Sequence, residues 1–302
     1  MSKQFTAELA GAGRFNARQS AVSGRNHGQA GTAKAARIPR IIHYSWLSGN
    51  EKPRFMADCF ATWKNVMPDY EFRCWDAAAL KTIDARFANQ AYRAEQWAFA
   101  ADYIRLHALY HVGGVYLDAD VKVFRRFDEF LHDAAFASIE SYTYRKYADY
   151  RHDYWIDAAM LGAEKGNPFI KDCLDYYRDR DFVRQDGTLD QQVICHIMAD
   201  IAETKYGFVR NSASFEKQFL QHDAGVIYPP FVFSHRRGDI RRSTCAIHLY
   251  AGSWRQKPVR HRSLLSRVQA IAIACTNEKI WGRLSFKGLA VLYFLRRLLT
   301  GK

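Results

Sequence analysis

The sequence predicts an α/β protein built around one large core, and three observations lead there. The chain has 302 residues, 48% of them apolar and 15% aromatic, enough to bury a sizeable core with or without appendages. Runs with helical and strand periodicity alternate from the start of the folded body, the pattern of helices layered on a sheet. Between Ala94 and Val123 the period then switches from helix to strand across Gly113-Gly114.

Met1 to Arg37 holds six Lys/Arg against one Glu and is rich in Gly, Ala, Ser and Gln. Without apolar periodicity it reads as a disordered basic tail; an acid-poor, Arg-containing start also fits an organellar transit peptide. Ile38 to Trp46 opens the folded body as a buried strand ending in the turn-rich Leu47-Ser48-Gly49-Asn50. Met56 to Val66 is an amphipathic helix carrying Phe60, Trp63 and Lys64, followed by Pro68-Asp69 and a second strand, Tyr70 to Trp75. Asp76 to Gln90 reads as a more polar helix.

From Glu95 to Val112 there is no Gly or Pro, and Ala98, Asp102, Arg105, Leu106 and Leu109 fall on one helix face. Gly113-Gly114 supplies the permissive backbone that ends a helix. The next run reads as one strand to Val123. Val115, Leu117, Ala119, Val121 and Val123 make a dry face, and Tyr116, Asp118, Asp120 and Lys122 the other. Two carboxylates so placed repel, and a hard divalent cation with oxygen ligands is one answer. A solvated edge strand whose acids keep it soluble is the other.

Asp102, Arg105, Gly113-Gly114, Tyr116 and Asp118-Ala119-Asp120 together resemble the signature of the DXD sugar-binding region of glycosyltransferase family 32. That family is related to the yeast initiating α-mannosyltransferases and to the glucosyltransferase domain of the large clostridial toxins. The resemblance spans about residues 38–254 and points towards bacterial capsule and surface-polysaccharide transferases. It implies a GT-A-type nucleotide-diphospho-sugar transferase fold: a mostly parallel central sheet flanked by helices, with nucleotide at the carboxyl ends of its strands. It also implies retention of anomeric configuration, by front-face displacement assisted by the departing phosphate.

The same resemblance assigns roles. Trp46 packs on the nucleotide base, against the plain alternative of a core aromatic. Asp120, with Asp118 directly or through water, holds Mn2+ or Mg2+. Asp102 and Arg105 bind the donor-sugar hydroxyls, with Arg105 also near the phosphate. Ala246-Ile-His248-Leu-Tyr250-Ala-Gly252-Ser253-Trp254 is the last landmark. His248 lies on or beside the metal, unless it is merely structural, and Ser253 and Trp254 donate to the diphosphate.

Between these landmarks, Phe127 to Leu131 is a short turn or helix and Ala135 to Glu140 a further strand. Residues 141–155 crowd Tyr142, Tyr144, Tyr147, Tyr150, Tyr154 and Trp155 among Arg and His, an acceptor-binding loop or an ordinary aromatic one. Asp157 to Pro168 is a strand and turn, Phe169 to Asp179 a helix, Thr188 to Lys205 a long helix, and Val226 to Phe233 an aromatic segment. The family often shows Asn near the position of Asp157, which leaves that side chain's role open.

The net charge of +13 sits at the ends: residues 1–37 carry +5 and 255–302 carry +10, leaving 38–254 at −2. A nucleic-acid-binding body would carry its own basic patch, so that class is disfavoured. From Ser263 the chain is helical and basic. Its longest uncharged apolar run, Gly288 to Leu295, is too short to span a bilayer, leaving an interfacial helix on anionic lipid or a packed one. Six cysteines without a Cys-x-x-Cys pair or a signal peptide fit reduced thiols in a cytoplasmic enzyme, soluble or peripheral on the inner membrane face.

The resulting expectation has three parts: a disordered tail (1–37), a transferase domain (38–254) and a basic helical segment (255–302). The domain is a metal-dependent, retaining hexosyltransferase. It uses a nucleotide sugar, UDP-linked first and GDP-mannose next, with a surface glycan or lipid-linked saccharide as acceptor. The rivals are a metal-dependent phosphoesterase and a non-catalytic membrane-bound scaffold.

Overall fold

A computed structural model describes residues 35–141, 154–210, 216–234 and 241–251. In chain order the elements are β1 (Ile41–Trp46), α1 (Arg54–Val66), β2 (Glu71–Asp76), α2 (Ala77–Lys81), α3 (Arg86–Arg93) and α4 (Trp97–His111). Then come β3 (Gly114–Leu117), β4 (Val121–Val123), β5 (Ala135–Ser141), β6 (Tyr154–Ile156), β7 (Met160–Ala163) and α5 (Pro168–Asp175). The last are α6 (Ile194–Tyr206), β8 (Gln218–Leu220), β9 (Gly225–Tyr228), β10 (Phe233–Ser234) and β11 (Ala246–His248).

The α/β class and the flanked, mostly parallel sheet are both present. The main sheet runs β2-β1-β3-β7-β5-β9-β8, with β6 paired on β5. β2, β1 and β3 are parallel, as are β5 and β9. Because β7 is antiparallel to both β3 and β5, all five of those strands point the same way. Helices α3 to α6 cover one apolar cluster and α1 another, the second including fully buried Trp63 and Phe127. Each such large side chain contributes roughly 1.5–3 kcal/mol by leaving water. A small second sheet, β10-β11-β4, adjoins them.

Two local devices set the site's place. Gly114 sits at φ +121°, and a Cβ there would meet the Ile41 carbonyl oxygen at 2.7 Å, so only glycine lets β3 start this close to β1. Just upstream, the neutral His43 ring donates from Nε2 to the Gly113 carbonyl at 2.8 Å while Nδ1 accepts from Trp75. Burial lowers the pKa of His43, which suits a ring used as a fixed spacer. The β1/β3 register, Ile42 with Val115 and His43 with Tyr116, then brings both strands' carboxyl ends to one edge.

The structure corrects several elements. Residues 115–123 are not one strand: the chain turns at Asp118, whose carbonyl accepts from Val121 N at 3.0 Å, and β4 leaves for the second sheet. No dry-versus-acid face exists there, since β3 and β4 are buried on both sides, Tyr116 and Lys122 included. The helix expected over 76–90 is two. Asp76 caps α2 through the amides of Ala78 and Ala79, and Thr82 closes it on the Ala79 carbonyl. The long helix starts at Ile194 rather than Thr188, because Asp190 is drawn into a turn by Arg184 and the Phe182 carbonyl. Tyr154 and Trp155, placed in a loop by composition, belong to β6 and pair with β5, and β8 was not among the expected elements. Arg37, assigned to the basic tail, is bound to Glu164 and Asp223. Tail residues 1–34, aromatic residues 142–153 and the segment 252–302 lie outside the described residues. Among the described residues, no helix is long and apolar enough to cross a membrane, and Cys59, Cys74, Cys173, Cys195 and Cys245 are free thiols.

Candidate active site

The carboxyl edge of the sheet gathers the acids. Asp118 follows β3, Glu140 lies near the end of β5, and Asp157 follows β6. β11 lies antiparallel to β4, with His248 opposite Val121. Asp118, Asp120 and His248 offer one ligand atom each within 4.8 Å of one another. His248 Nε2 lies 3.2 Å from Asp120 Oδ1 and 4.0 Å from Asp118 Oδ2. The strand-to-strand turn, rather than a shared strand face, brings the two carboxylates together.

Electrostatics mark the trio as incomplete on its own. Burial pushes Asp118 up against the pull of Arg105. Burial acts on Asp120 too, but the His248 charge and the hydrogen bonds from His248 and Ala251 outweigh it and hold that carboxyl below its usual value. Burial alone would lower His248, yet Asp120 and then Asp118 raise it to about 9. A proton on imidazole at this place offsets the charge of buried Asp120 and partly exposed Asp118, a service a divalent cation also performs. Two carboxylates and an imidazole are an acceptable set for Mn2+.

Beside the trio, α4 delivers Asp102 and Arg105 one turn apart. Arg105 Nη2 lies 2.9 Å from Asp102 Oδ1 and 3.4 Å from Asp118 Oδ1. Its Nη1 donates to the Ala158 carbonyl, and its guanidinium lies over the Tyr116 ring at 4.8 Å. Tyr116 in turn shares a 2.8 Å hydrogen bond with Ser45 on β1. Burial pushes Asp102 up to about 7, against the pull of Arg105, while Asp118 and Asp102 keep Arg105 charged despite its burial.

Trp46 ends β1 on the same edge, half-buried, its Nε1 donating to the Asn50 carbonyl at 2.7 Å and Lys52 over its ring at 5.4 Å. Asp102, Arg105, Asp118, Asp120 and His248 are thus one cluster, while Trp46 ends the neighbouring strand β1 and contacts Asn50 and Lys52. Ser253 and Trp254 lie outside the described residues.

Three residues escaped the sequence-based assignment. Tyr250 adopts φ +49°, a left-handed conformation rare for a bulky side chain. It lies with its ring 4.1 Å from that of His248 and its hydroxyl donating to Glu140 at 3.2 Å. Its neighbours close over Asp120: Leu249 N donates to the Asp120 carbonyl at 3.1 Å and Ala251 N to Asp120 Oδ2 at 2.8 Å. Glu140 is 7% exposed; an acid closing the apolar run Ala135-Phe-Ala-Ser-Ile was the available sign. Asp157 is 2% exposed, and its Oδ1 accepts from Ala159 N at 3.0 Å.

Residues 53–137 match the family model of the glycosyltransferase sugar-binding region containing the DXD motif. Over 145 residues the chain is 29% identical to inositol phosphoceramide mannosyltransferase 3 of Schizosaccharomyces pombe. That alignment covers 45% of this chain and 36% of the relative, so the chain spans little more than a third of it. Solved structures with some likeness include the PaToxG glycosyltransferase, at 18% identity and TM-score 0.37, covering 55% of this chain and 69% of that one. Another is the galactosyltransferase LgtC with donor and acceptor sugar analogs, at 15% identity and TM-score 0.34, covering 80% and 98%. A third is a glycosyltransferase involved in the glycosylation of the major capsid of PBCV-1, at 11% identity and TM-score 0.35, covering 70% and 94%.

Proposed function

We propose that this chain, a family-32-like glycosyltransferase, moves a hexose with retention from a nucleotide sugar to a glycan or lipid-linked saccharide, using a divalent cation held at Asp118, Asp120 and His248. The observation that carries this reading is the convergence of that trio with the Asp102–Arg105 pair at the sheet's carboxyl edge.

Glycosyl transfer breaks the bond from C1 to the diphosphate, with negative charge building on the leaving phosphate. A cation bound at the trio supplies the opposing charge there. Arg105 is fixed on four sides before substrate arrives, so its charge faces the phosphate without reorganisation. Asp102 accepts donor-sugar hydroxyls while balancing Arg105 in the cleft. Trp46 stacks on the base, and Ser253 and Trp254 donate to the diphosphate. Retention rests on the resemblance: the acceptor enters on the face the phosphate leaves. UDP-hexoses come first as donors; GDP-mannose follows, consistent with the mannosyltransferase relative. The acceptor and a place at the inner membrane face, through residues 263–302, rest on the sequence alone.

The test is a panel of nucleotide sugars scored for Mn2+-dependent thermal stabilisation, followed by NMR of the product's anomeric proton. An α donor must give an α linkage, and a β linkage would overturn the mechanism. Phosphate release without acceptor, and no donor stabilised by Mn2+, would turn the reading to a phosphoesterase.

A further inference from the structure

Three buried polar atoms around the trio, Arg105 Nε, His248 Nδ1 and Asp157 Oδ2, have no hydrogen-bond partner, and the last two are of opposite kind. His248 presents Nε2 to the two aspartates, while its Nδ1 is buried and unpaired. Asp157 spends Oδ1 on the Ala159 amide, while its Oδ2 is buried and unpaired. A buried donor or acceptor left unmade is costly, so each needs a reason. The chain brings their elements to one place: the carbonyl of Ala159, two residues past Asp157, accepts from the Asp118 amide at 2.9 Å. The two groups also feel each other's charge, Asp157 raising His248 and His248 opposing the burial-driven rise of Asp157.

We propose that Asp157 is a positioning residue for the cation site: once a cation binds, its Oδ2, unpaired here, takes the Nδ1 proton of His248 as a hydrogen bond, so that Nε2 turns its free lone pair towards Asp118 and Asp120. The inference rests on the reading that this trio holds a divalent cation. Only the tautomer with the proton on Nδ1 leaves Nε2 as a ligand, and metal-bound histidines are commonly fixed through the other ring nitrogen by a carboxylate. That this side chain is a carboxylate rather than its amide isostere has a consequence here. The Ala159 amide requires an oxygen at the Oδ1 position. An asparagine would then turn its NH2 towards Nδ1, donate to it, and strand the ring proton on Nε2, where the cation belongs.

The experiment measures Mn2+ affinity of the full chain by electron paramagnetic resonance for wild type, Asp157→Asn, His248→Ala and the double variant. Asp157→Asn should weaken binding about 10- to 100-fold, and that loss should vanish when His248 is already alanine. An unchanged affinity in Asp157→Asn overturns the proposal while leaving the cation site standing. An equal loss in the His248→Ala background also overturns it, since Asp157 would then act on the cation directly. Wild-type protein that binds no Mn2+ removes the cation reading and this inference together. Should Asp157→Asn misfold, wild type decides alone: with Mg2+ bound, the Nδ1 proton of His248 should show the downfield shift of a hydrogen bond to a carboxylate, and a shift typical of an unbonded or water-bonded imidazole refutes it.

Discussion

Two clusters of arginine and aspartate in this molecule obey opposite rules. At the foot of β2, Arg126 grips Asp69 through both Nη atoms at 2.6 and 2.8 Å and also binds Asp128. Asp128 further takes Arg40 at 3.0 Å and the Tyr70 hydroxyl at 3.3 Å. The charged members are a third to a half exposed. At the carboxyl edge the charges are buried, yet Arg105 Nε, His248 Nδ1 and Asp157 Oδ2 have no partner. A network that only joins loops satisfies itself and leaves the remainder to water. A site keeps donors and acceptors in reserve, at a cost the surrounding fold must bear.

That contrast breaks hardest at Arg105. Arg105→Ala should abolish transfer and also destabilise the fold by about 3–5 kcal/mol, because it leaves Asp102 and Asp118 as uncompensated buried acids. Denaturant unfolding and a transfer assay measure the two losses. A stable, inactive variant would show that Arg105 serves chemistry alone.

Asp120→Asn separates chemistry from packing in the other direction. It removes a charge at the trio while keeping shape, so transfer should fall about a hundredfold or more with the unfolding midpoint little changed. Asp118→Asn should match it or lose less. If both variants keep more than about a tenth of the rate in saturating Mn2+, the trio is not the metal site.

The arithmetic of spacing made α4, the Gly-Gly turn and the Asp-x-Asp motif legible, because each is local: about 3.6 residues per turn, a φ only glycine tolerates, two acids two apart. What spacing could not show was a break. A strand that turns at Asp118 and changes sheets keeps the same alternation of letters as one that continues, and only pairing with β11 reveals it. Asp157, Glu140 and Tyr250 come from three distant segments and meet through sheet order. Composition placed Tyr154 and Trp155 in a loop because their pairing partner, β5, lies elsewhere in sequence. His248 was reached by resemblance, since a lone histidine on a short strand announces nothing.

Protonation sharpens the comparison more gently. With its folded pKa raised to about 9, His248 stabilises the cation-free protein fully below its ordinary value near 6.5. That stabilisation is lost as pH rises through about 9. Asp157, raised to about 6, has largely titrated by pH 7, whereas Asp102, raised to about 7, is half ionised there and adds to the decline over the next unit. A cation that needs Nε2 competes with the proton at neutral pH and no longer does so near pH 9. Thermal midpoints without metal should therefore decline from pH 7 to 9, while the upward shift given by Mn2+ grows. A Mn2+ shift that is constant across the range would remove His248 from the ligand set.

The smallest effect belongs to the exposed network. Arg126→Ala deletes both bonds to Asp69 and one to Asp128, yet those acids stand where water solvates them once released. Exposed pairs contribute little because water screens the attraction and the long side chains lose freedom in holding it. Asp69 is held near 2 chiefly by its bond to Arg126, so its release shifts titration in acid, well below the range in which transfer is assayed. The variant should keep its rate within about twofold, bind Mn2+ as wild type does, and differ in midpoint only slightly, less still at high salt. Transfer rates and melting curves at low and high salt are the measurement. A large loss of activity would mean that the foot of β2 is coupled to the carboxyl edge across the sheet, and the division between a satisfied network and a reserved one would fail.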